Sequence, residues 1–289
     1  MIKIGITGQV GFIGTHLFNY LSLRKTEVEL IPFRDDFFQD QNILEAFVGK
    51  CDAIVHLAAL NRHNDPQTIY DTNIELVNKL ITALETTGVK PHVLFSSSTQ
   101  EERDNVFGKS KREGRRLLSE WADRSGGIFT GMVIPNVFGP FGNPYYNSVV
   151  ATFSHQLTHD EEPGIEIDAQ LRLIYIGDLV KTIWYLIENK IADNEFRIIP
   201  TAEARVTEIL ALLQSFRTQY FEKGIIPDLT DPFERNLFNT FVCYIDHESY
   251  FPFKLKMNSD ERGSFVETVK LGSGGQVSFS TTRPGVTRG

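Results

Sequence analysis

Cysteine is scarce in this chain of 289 residues: only Cys51 and Cys243 occur, far apart, with no CxxC and no metal-ligand spacing. No metal site is expected from them, and their scarcity points to a reducing compartment. No apolar run reaches the ~18 residues needed to span a bilayer, so no membrane partner is expected. No charged segment followed by an apolar one precedes the first strand, because Met1 leads directly into I-K-I-G-I-T-G. A secretory signal is therefore not expected, and the expected location is cytoplasmic. Positive charge is also in short supply, with 29 Lys and Arg against 37 Asp and Glu and a formal net charge of -8. Nucleic acid is accordingly not an expected partner. The one basic run, Lys109 to Arg116, reads as the solvated face of a helix, Lys111 excepted.

What the chain does have is ordinary globular composition, 41% hydrophobic and 23% charged, at a length that can bury a sizeable core. Apolar runs of strand length alternate with stretches of helical period. Strands are expected at Ile2–Thr7, Val28–Phe33, Ala53–Leu57, His92–Ser96 and Ile128–Pro135. Helices are expected at Phe12–Leu23, Asn42–Val48, Ile69–Thr86 and Val106–Asp123. Continuous apolar strands separated by helices imply a parallel sheet covered on both faces, a doubly wound α/β fold of Rossmann type. After Pro140 the rhythm loosens. Helices are expected at Val149–His159, Asp178–Glu188 and Val206–Phe221, with strands at I-E-I-D and L-R-L-I-Y-I. This divides the chain into a core over 1–140, a smaller substrate-binding region over 141–250 and a Gly/Ser/Thr-rich β tail over 251–289.

Between the first strand and first helix stands Gly8-Gln-Val-Gly11-Phe-Ile-Gly14. A chain turning there must bring backbone N–H groups close to a pyrophosphate without Cβ atoms in the way. The helix N-terminus then offers unpaired donors and a positive dipole end. A glycine triplet directly after the first strand of an α/β chain reads as a dinucleotide cradle. The adenosine ribose should be met at the end of the second strand, where Pro32-Phe33-Arg34-Asp35 stands. Arg34 there favours a 2′-phosphate, hence NADP, whereas Asp35 and Asp36 leave NAD open.

Several segments together resemble the extended short-chain dehydrogenase/reductase superfamily, whose members act on nucleotide sugars. They are T-G-Q-V-G-F-I-G (7–14), H-L-A-A (56–59), Asn73, F-S-S-S (95–98), F-G-K-S-K (107–111), P-N-V-F-G-P (135–140) and Y-I-G-D (175–178). A narrower similarity links N-R-H-N-D-P (61–66), S-S-S-T-Q (96–100), Y-N-S-V-V-A-T-F (146–153) and D-E-R-G-S-F-V-E-T-V-K (260–270) to bifunctional capsular-polysaccharide reductases of the UDP-N-acetyl-L-fucosamine pathway. In that family a reductase domain is followed by a cupin domain. The resemblance implies reduction at C4 of a 4-keto UDP-2-acetamido-2,6-dideoxyhexose by NADPH. It implies cofactor contacts from Gly8, Gly11, Phe12, Ile13, Gly14, Arg34, Leu57, Ala58, Ala59, Asn73, Ser96, Lys111 and Pro135. Substrate contacts are implied for Asn61, Arg62, Ser98, Asn136, Asn147, Arg172 and Tyr175, and a homodimer built on the helices at 69–86 and 106–123. Ser98 would hydrogen-bond the keto oxygen, while Lys111 would hold the nicotinamide ribose and tune a tyrosine at position 107.

Two departures from that pattern stand out. Position 107 is Phe, which cannot donate a proton, and losing a general acid costs about 10²–10⁴ in rate. Either the domain is inactivated, or Ser98, Thr99, Tyr145 or water supplies the proton, or the domain is a dinucleotide-binding scaffold. Second, the chain stops before the family's His-rich metal-binding segment. Residues ~251–289 are then expected to pack on the reductase domain or a second subunit, since open strand edges are a liability. A 4-epimerase or dehydratase of the same superfamily is the alternative enzyme. Among other features, His155 and His159 lie one turn apart but lack a third ligand. His56 reads as a packed residue, and Asp178 as a helix N-cap.

Overall fold

A computed structural model describes residues 1–272 and 274–287. In chain order its regular elements are β1 (Ile2–Thr7), α1 (Phe12–Ser22), β2 (Val28–Ile31), α2 (Gln41–Val48), β3 (Ala53–His56), α3 (Pro66–Thr87), β4 (His92–Ser98), α4 (Val106–Ser125), β5 (Phe129–Ile134), β6 (Asn136–Phe138), α5 (Val149–Thr158), β7 (Gln170–Tyr175), α6 (Ile176–Glu188), β8 (Asp193–Arg197), β9 (Ala202–Arg205), α7 (Val206–Phe216), β10 (Ile225–Ile226), α8 (Pro232–Val242), α9 (His247–Tyr250), β11 (Met257–Asp260), β12 (Gly263–Leu271) and β13 (Gln276–Thr282). Short 3₁₀ turns occupy Asp35–Gln39 and Thr99–Glu102.

The chain forms two compact units. One comprises 1–137 with 173–200, the other 138–172 with 201–289. The first therefore takes back a later stretch that the sequence placed in the substrate region, and the tail clusters with the second. Residues 273, 288 and 289 of that tail lie outside the described residues.

In the first unit a parallel six-stranded sheet has the order β2-β1-β3-β4-β5-β8. Its strands alternate between two buried faces. Ile4, Ile6, Ala53, Val55, Leu94 and Met132 pack with α1 and α6 in one core, whereas Ile54, Val93, Phe95 and Phe129 pack with α2, α3 and α4 in the other. Burial on both faces is why the strands read as unbroken apolar runs. Strand β1 sits between β2 and β3, so the direction of winding reverses there. The carboxyl ends of β1 and β3 consequently form the crevice where such sheets bind ligands.

Helix ends follow local chemistry. Asp65 caps α3 by accepting from Gln67 N–H at 3.1 Å, Pro66 follows it, and Gly88 ends the helix in the left-handed region. Asn105 caps α4 by accepting from Gly108 N–H at 2.7 Å, and Gly126 ends it in the same way. Three expectations change. The I-E-I-D stretch is not a strand, α7 ends at Phe216 with a π turn over Arg217–Phe221, and Tyr175 rather than Asp178 is the N-cap of α6. Asp178 sits inside the first turn of α6, where its charge still favours the helix dipole. Strand β8 escaped the sequence reading because D-N-E-F-R is polar, as an edge strand exposed along most of its length can be.

In the second unit α5, α7 and α8 pack together around Phe153, Leu213, Phe216, Leu237 and Phe241. The tail forms a sheet in which β12 pairs antiparallel with β11 and β13, and parallel with β10 through Ile225↔Lys270 and Ile226↔Leu271. The tail is thus joined to the substrate region by its backbone.

Candidate active site

Strand β1 ends on Thr7 and the chain turns at Gly8 with φ +67°. A side chain there would be strained, and its Cβ would lie 2.8 Å from the Ala58 nitrogen. Glycine lets the ends of β1 and β3 close on each other. A Cβ on Gly14 would run into the Gly8 carbonyl and the Gln9 backbone. Gly11 is the N-cap of α1, and no side chain caps that helix. The N–H groups of Phe12, Ile13 and Gly14 have no intrahelical acceptor by construction, and they stand at the positive end of the dipole. An uncapped N-terminus opening on a turn that excludes Cβ atoms fits a pyrophosphate.

Thr7 ties this cradle to β3. Its hydroxyl is 2.7 Å from His56 Nδ1 and accepts the Ala58 N–H at 3.3 Å. Ala58 and its neighbours Leu57 and Ala59 are half-buried along the rim. His56 is fully buried, with its ring stacked on Phe95, and its Nε2 has no partner among the described residues. Burial first, and the Lys111 charge second, push its pKa down to about 3. It is a neutral packed residue, as its sequence setting suggested.

Asn73 is buried in α3, and its amide is spent on the chain after β3. Its Oδ1 accepts Leu60 N–H at 2.7 Å, and its Nδ2 donates to Leu60 O at 3.1 Å and to Ser110 Oγ at 3.0 Å. The residue expected to touch the cofactor therefore holds the loop that carries Ala58, Ala59, Asn61 and Arg62. Asn61 and Arg62 are exposed on that loop.

Strand β4 carries Ser96 and Ser98, and α4, which packs against it, carries Phe107 and Lys111. The Lys111 ammonium donates to Ser96 Oγ at 3.5 Å and lies over the Phe95 and Phe107 rings, 5.0 and 5.6 Å from their centroids. Burial lowers its pKa to about 8, with the Glu101 charge opposing the fall. Ser96 in turn donates to His56 O at 3.2 Å. Ser98 caps the turn at Thr99–Glu102, its oxygen accepting Gln100 N–H at 3.2 Å. That leaves the hydroxyl proton available to donate. Pro135 is buried after β5 and Asn136 is exposed next to it.

Arg34 follows β2 as expected, but its guanidinium is paired with Asp36, Nε donating to Oδ1 at 3.1 Å. The partner was visible in the sequence as a second acid after the strand; the pairing was not. Tyr175 belongs to the first unit, at the N-terminus of α6. Asn147 and Arg172 belong to the second unit, and Arg172 pairs with Glu203 at 3.1 Å. Tyr145, a candidate proton donor, is also in that unit and bonds the Glu161 carboxylate through its hydroxyl. There too the His155 and His159 rings stack at 3.9 Å. Among the described residues no group of three or more His, Cys, Asp or Glu is placed to hold a metal ion, and no helix is long and apolar enough to cross a membrane.

The residues missed by the sequence reading are Glu101 and Arg115. Glu101 is buried, accepts from Ser97 Oγ, and meets Arg115 in a two-pronged ion pair with Nη2 at 2.7 Å. Nothing in their spacing of fourteen residues announces the pair.

Comparison with known proteins places the chain in a family. Residues 4–199 match the model of the NAD dependent epimerase/dehydratase family, and residues 258–289 match that of a polysaccharide biosynthesis C-terminal domain. The chain belongs to the NAD dependent epimerase/dehydratase family. It is 33% identical to UDP-2-acetamido-2,6-beta-L-arabino-hexul-4-ose reductase of Pseudomonas aeruginosa, across the whole of this chain and 77% of that protein. The crystal structure of the capsular polysaccharide assembling protein CapF from Staphylococcus aureus superimposes with a TM-score of 0.84 at 31% identity, covering all of this chain and 77% of CapF. RMD from Pseudomonas aeruginosa, solved in complex with NADPH, shares the fold with a TM-score of 0.68 at 21% identity, covering 75% of this chain and 83% of RMD.

Proposed function

We propose that this chain reduces the C4 keto group of a UDP-2-acetamido-2,6-dideoxyhexos-4-ulose in capsule or O-antigen sugar synthesis. The observation that carries the reading is the 33% identity, across the whole of this chain and 77% of the relative, to a reductase named for that class of sugar. The glycine turn and the uncapped α1 N-terminus hold the diphosphate of NADP, and Arg34 takes the 2′-phosphate once it leaves Asp36. When bound, the nicotinamide supplies hydride.

The chain's own groups do the rest. Ser98 donates its hydroxyl proton as a hydrogen bond to the keto oxygen and stabilises the negative charge that develops there. Lys111 holds the ribose hydroxyls and, as a buried cation, favours the same charge. Phe107 contributes shape without a proton, so the proton that converts the C4 alkoxide to the hydroxyl passes from the Ser98 hydroxyl, which water then reprotonates. Asn61, Arg62, Asn136, Asn147, Arg172 and Tyr175 are the candidate contacts to the sugar nucleotide. A second copy packs on α3 and α4, whose outer side carries a groove of about 490 Å³ lined by Gln67, Tyr70, Val106, Lys109, Arg112 and Glu113.

Phe107 favours one further reading, a dinucleotide-binding protein that scaffolds a sugar pathway without turnover. Mixing the chain with NADPH and the 4-keto sugar nucleotide separates the two. Loss of absorbance at 340 nm with formation of the 4-hydroxy sugar supports the reductase, and NADPH binding without consumption supports the scaffold. Internal redox without net NADPH loss would point instead to an epimerase.

A further inference from the structure

We infer that Glu101, with Arg115, is the positioning pair of this site, seating the turn from which Ser98 presents its hydroxyl. The inference rests on the reading above, in which Ser98 meets the keto oxygen. The turn Thr99–Glu102 is a single 3₁₀ turn, a conformation with poorer hydrogen-bond geometry than an α-helix. At its two ends, Ser98 Oγ accepts from Gln100 N–H at 3.2 Å, and Arg103 N–H donates to Gln100 O at 2.9 Å.

What holds it is side-chain chemistry from below. Glu101 is 5% exposed. Its carboxylate accepts from Ser97 Oγ, and from Arg115 Nε at 3.0 Å and Nη2 at 2.7 Å. Arg115 Nη1 donates onward to Asn194 O at 2.8 Å, and Glu195 Oε2 lies 3.2 Å from its Nη2, so the clamp reaches β8. The far side of the turn rests on α4, where the Gln100 carbonyl lies so close to Gly108 that no Cβ could fit. Ser98 is thereby fixed to the helix that carries Phe107 and Lys111.

A buried ion pair is a weak device for stability, because desolvating both charges offsets most of their attraction. Two-pronged geometry does, however, specify orientation. Glu101 stands three residues after Ser98 and four after Ser97, where orientation of the serine hydroxyl matters and bulk stability could be had from apolar residues.

The experiment compares the full chain with Glu101→Gln, which keeps the volume and an acceptor for Ser97 but removes the charge. An exposed-pair control, Arg116→Ala, accompanies it. For Glu101→Gln, kcat should fall about 10²-fold while KM for the sugar nucleotide and Kd for NADPH stay within about twofold. Amide exchange at Gln100 and Arg103 should accelerate about tenfold, with other core amides unchanged. Unaltered kcat and exchange, or a kcat loss matched by weaker NADPH binding and general loss of protection, would overturn the inference. If Glu101→Gln does not fold, Arg115→Lys gives the same readouts. If the wild-type chain binds NADPH but does not turn over, the functional reading falls, and exchange at Gln100 and Arg103 alone decides the positioning role.

Discussion

The Lys111 ammonium lies 5.6 Å from the centroid of the Phe107 ring. An ammonium in that position would lower the pKa of a phenol and make it a working acid; against Phe it makes only a cation–π contact. On the proposed reading, position 107 is where the reaction's proton donor would stand, and Phe107 cannot fill that role.

Phe107→Tyr should raise kcat for NADPH oxidation with a 4-keto sugar nucleotide by about 10²–10⁴. NADPH affinity should change little, because the glycine cradle is untouched. Stopped-flow absorbance at 340 nm measures both. No gain in rate would favour the scaffold reading.

Burial lowers the Lys111 pKa from an ordinary 10.5 to about 8. At ~1.36 kcal/mol per unit, the folded state bears about 3 kcal/mol for keeping this charge at neutral pH. Between pH 8 and 10.5 the unfolded chain holds the proton that the folded chain has released, so stability attributable to Lys111 rises with pH in that window. Lys111→Met should accordingly be more stable than wild type at pH 7, with the advantage disappearing towards pH 10. Its NADPH affinity should fall. Urea midpoints at several pH values, with a binding titration, check both.

His56 and His92 act in the same sense as Lys111, in a lower pH window. Burial holds both neutral, lowering their pKa values to about 3 and about 4. Below about pH 6.5 the unfolded chain binds protons that the folded chain refuses, so stability should fall as pH drops from 6.5 towards 4. A His56→Gln chain should show a shallower acid slope of the unfolding free energy, whatever its absolute stability at pH 7.

Arg34 and Asp36 form an exposed pair, with 74% and 49% of their side chains accessible. Such a pair adds little to stability. Asp36→Ala should leave the melting temperature unchanged and raise the preference for NADPH over NADH. Arg34→Ala should lower that preference by about 10–100-fold, the worth of a charge-assisted hydrogen bond to phosphate. The ratio of kcat/KM for the two cofactors, or of their Kd values, reads this directly.

The glycine turn, the parallel core and nearly every helix of the first unit could be read from residue order. Turn chemistry, caps and apolar period are local properties, expressed within a few residues. Gly8 and Gly14 announce their turn because only glycine tolerates the φ of the first and the close approaches at both. Strand β8 was not legible, since its polar residues share nothing with the buried strands beside it.

The sequence by itself determined that a glycine turn opens a doubly wound sheet, and that the chain carries Ser98 and Lys111 with Phe at position 107. The tertiary structure decided that Glu101 meets Arg115, that Asn73 clasps Leu60, and that residues 173–200 return to the first unit. These contacts join residues from 13 to 14 positions apart up to whole elements. They depend on the order in which strands assemble and on how α4 lies against β4, quantities that local spacing does not encode.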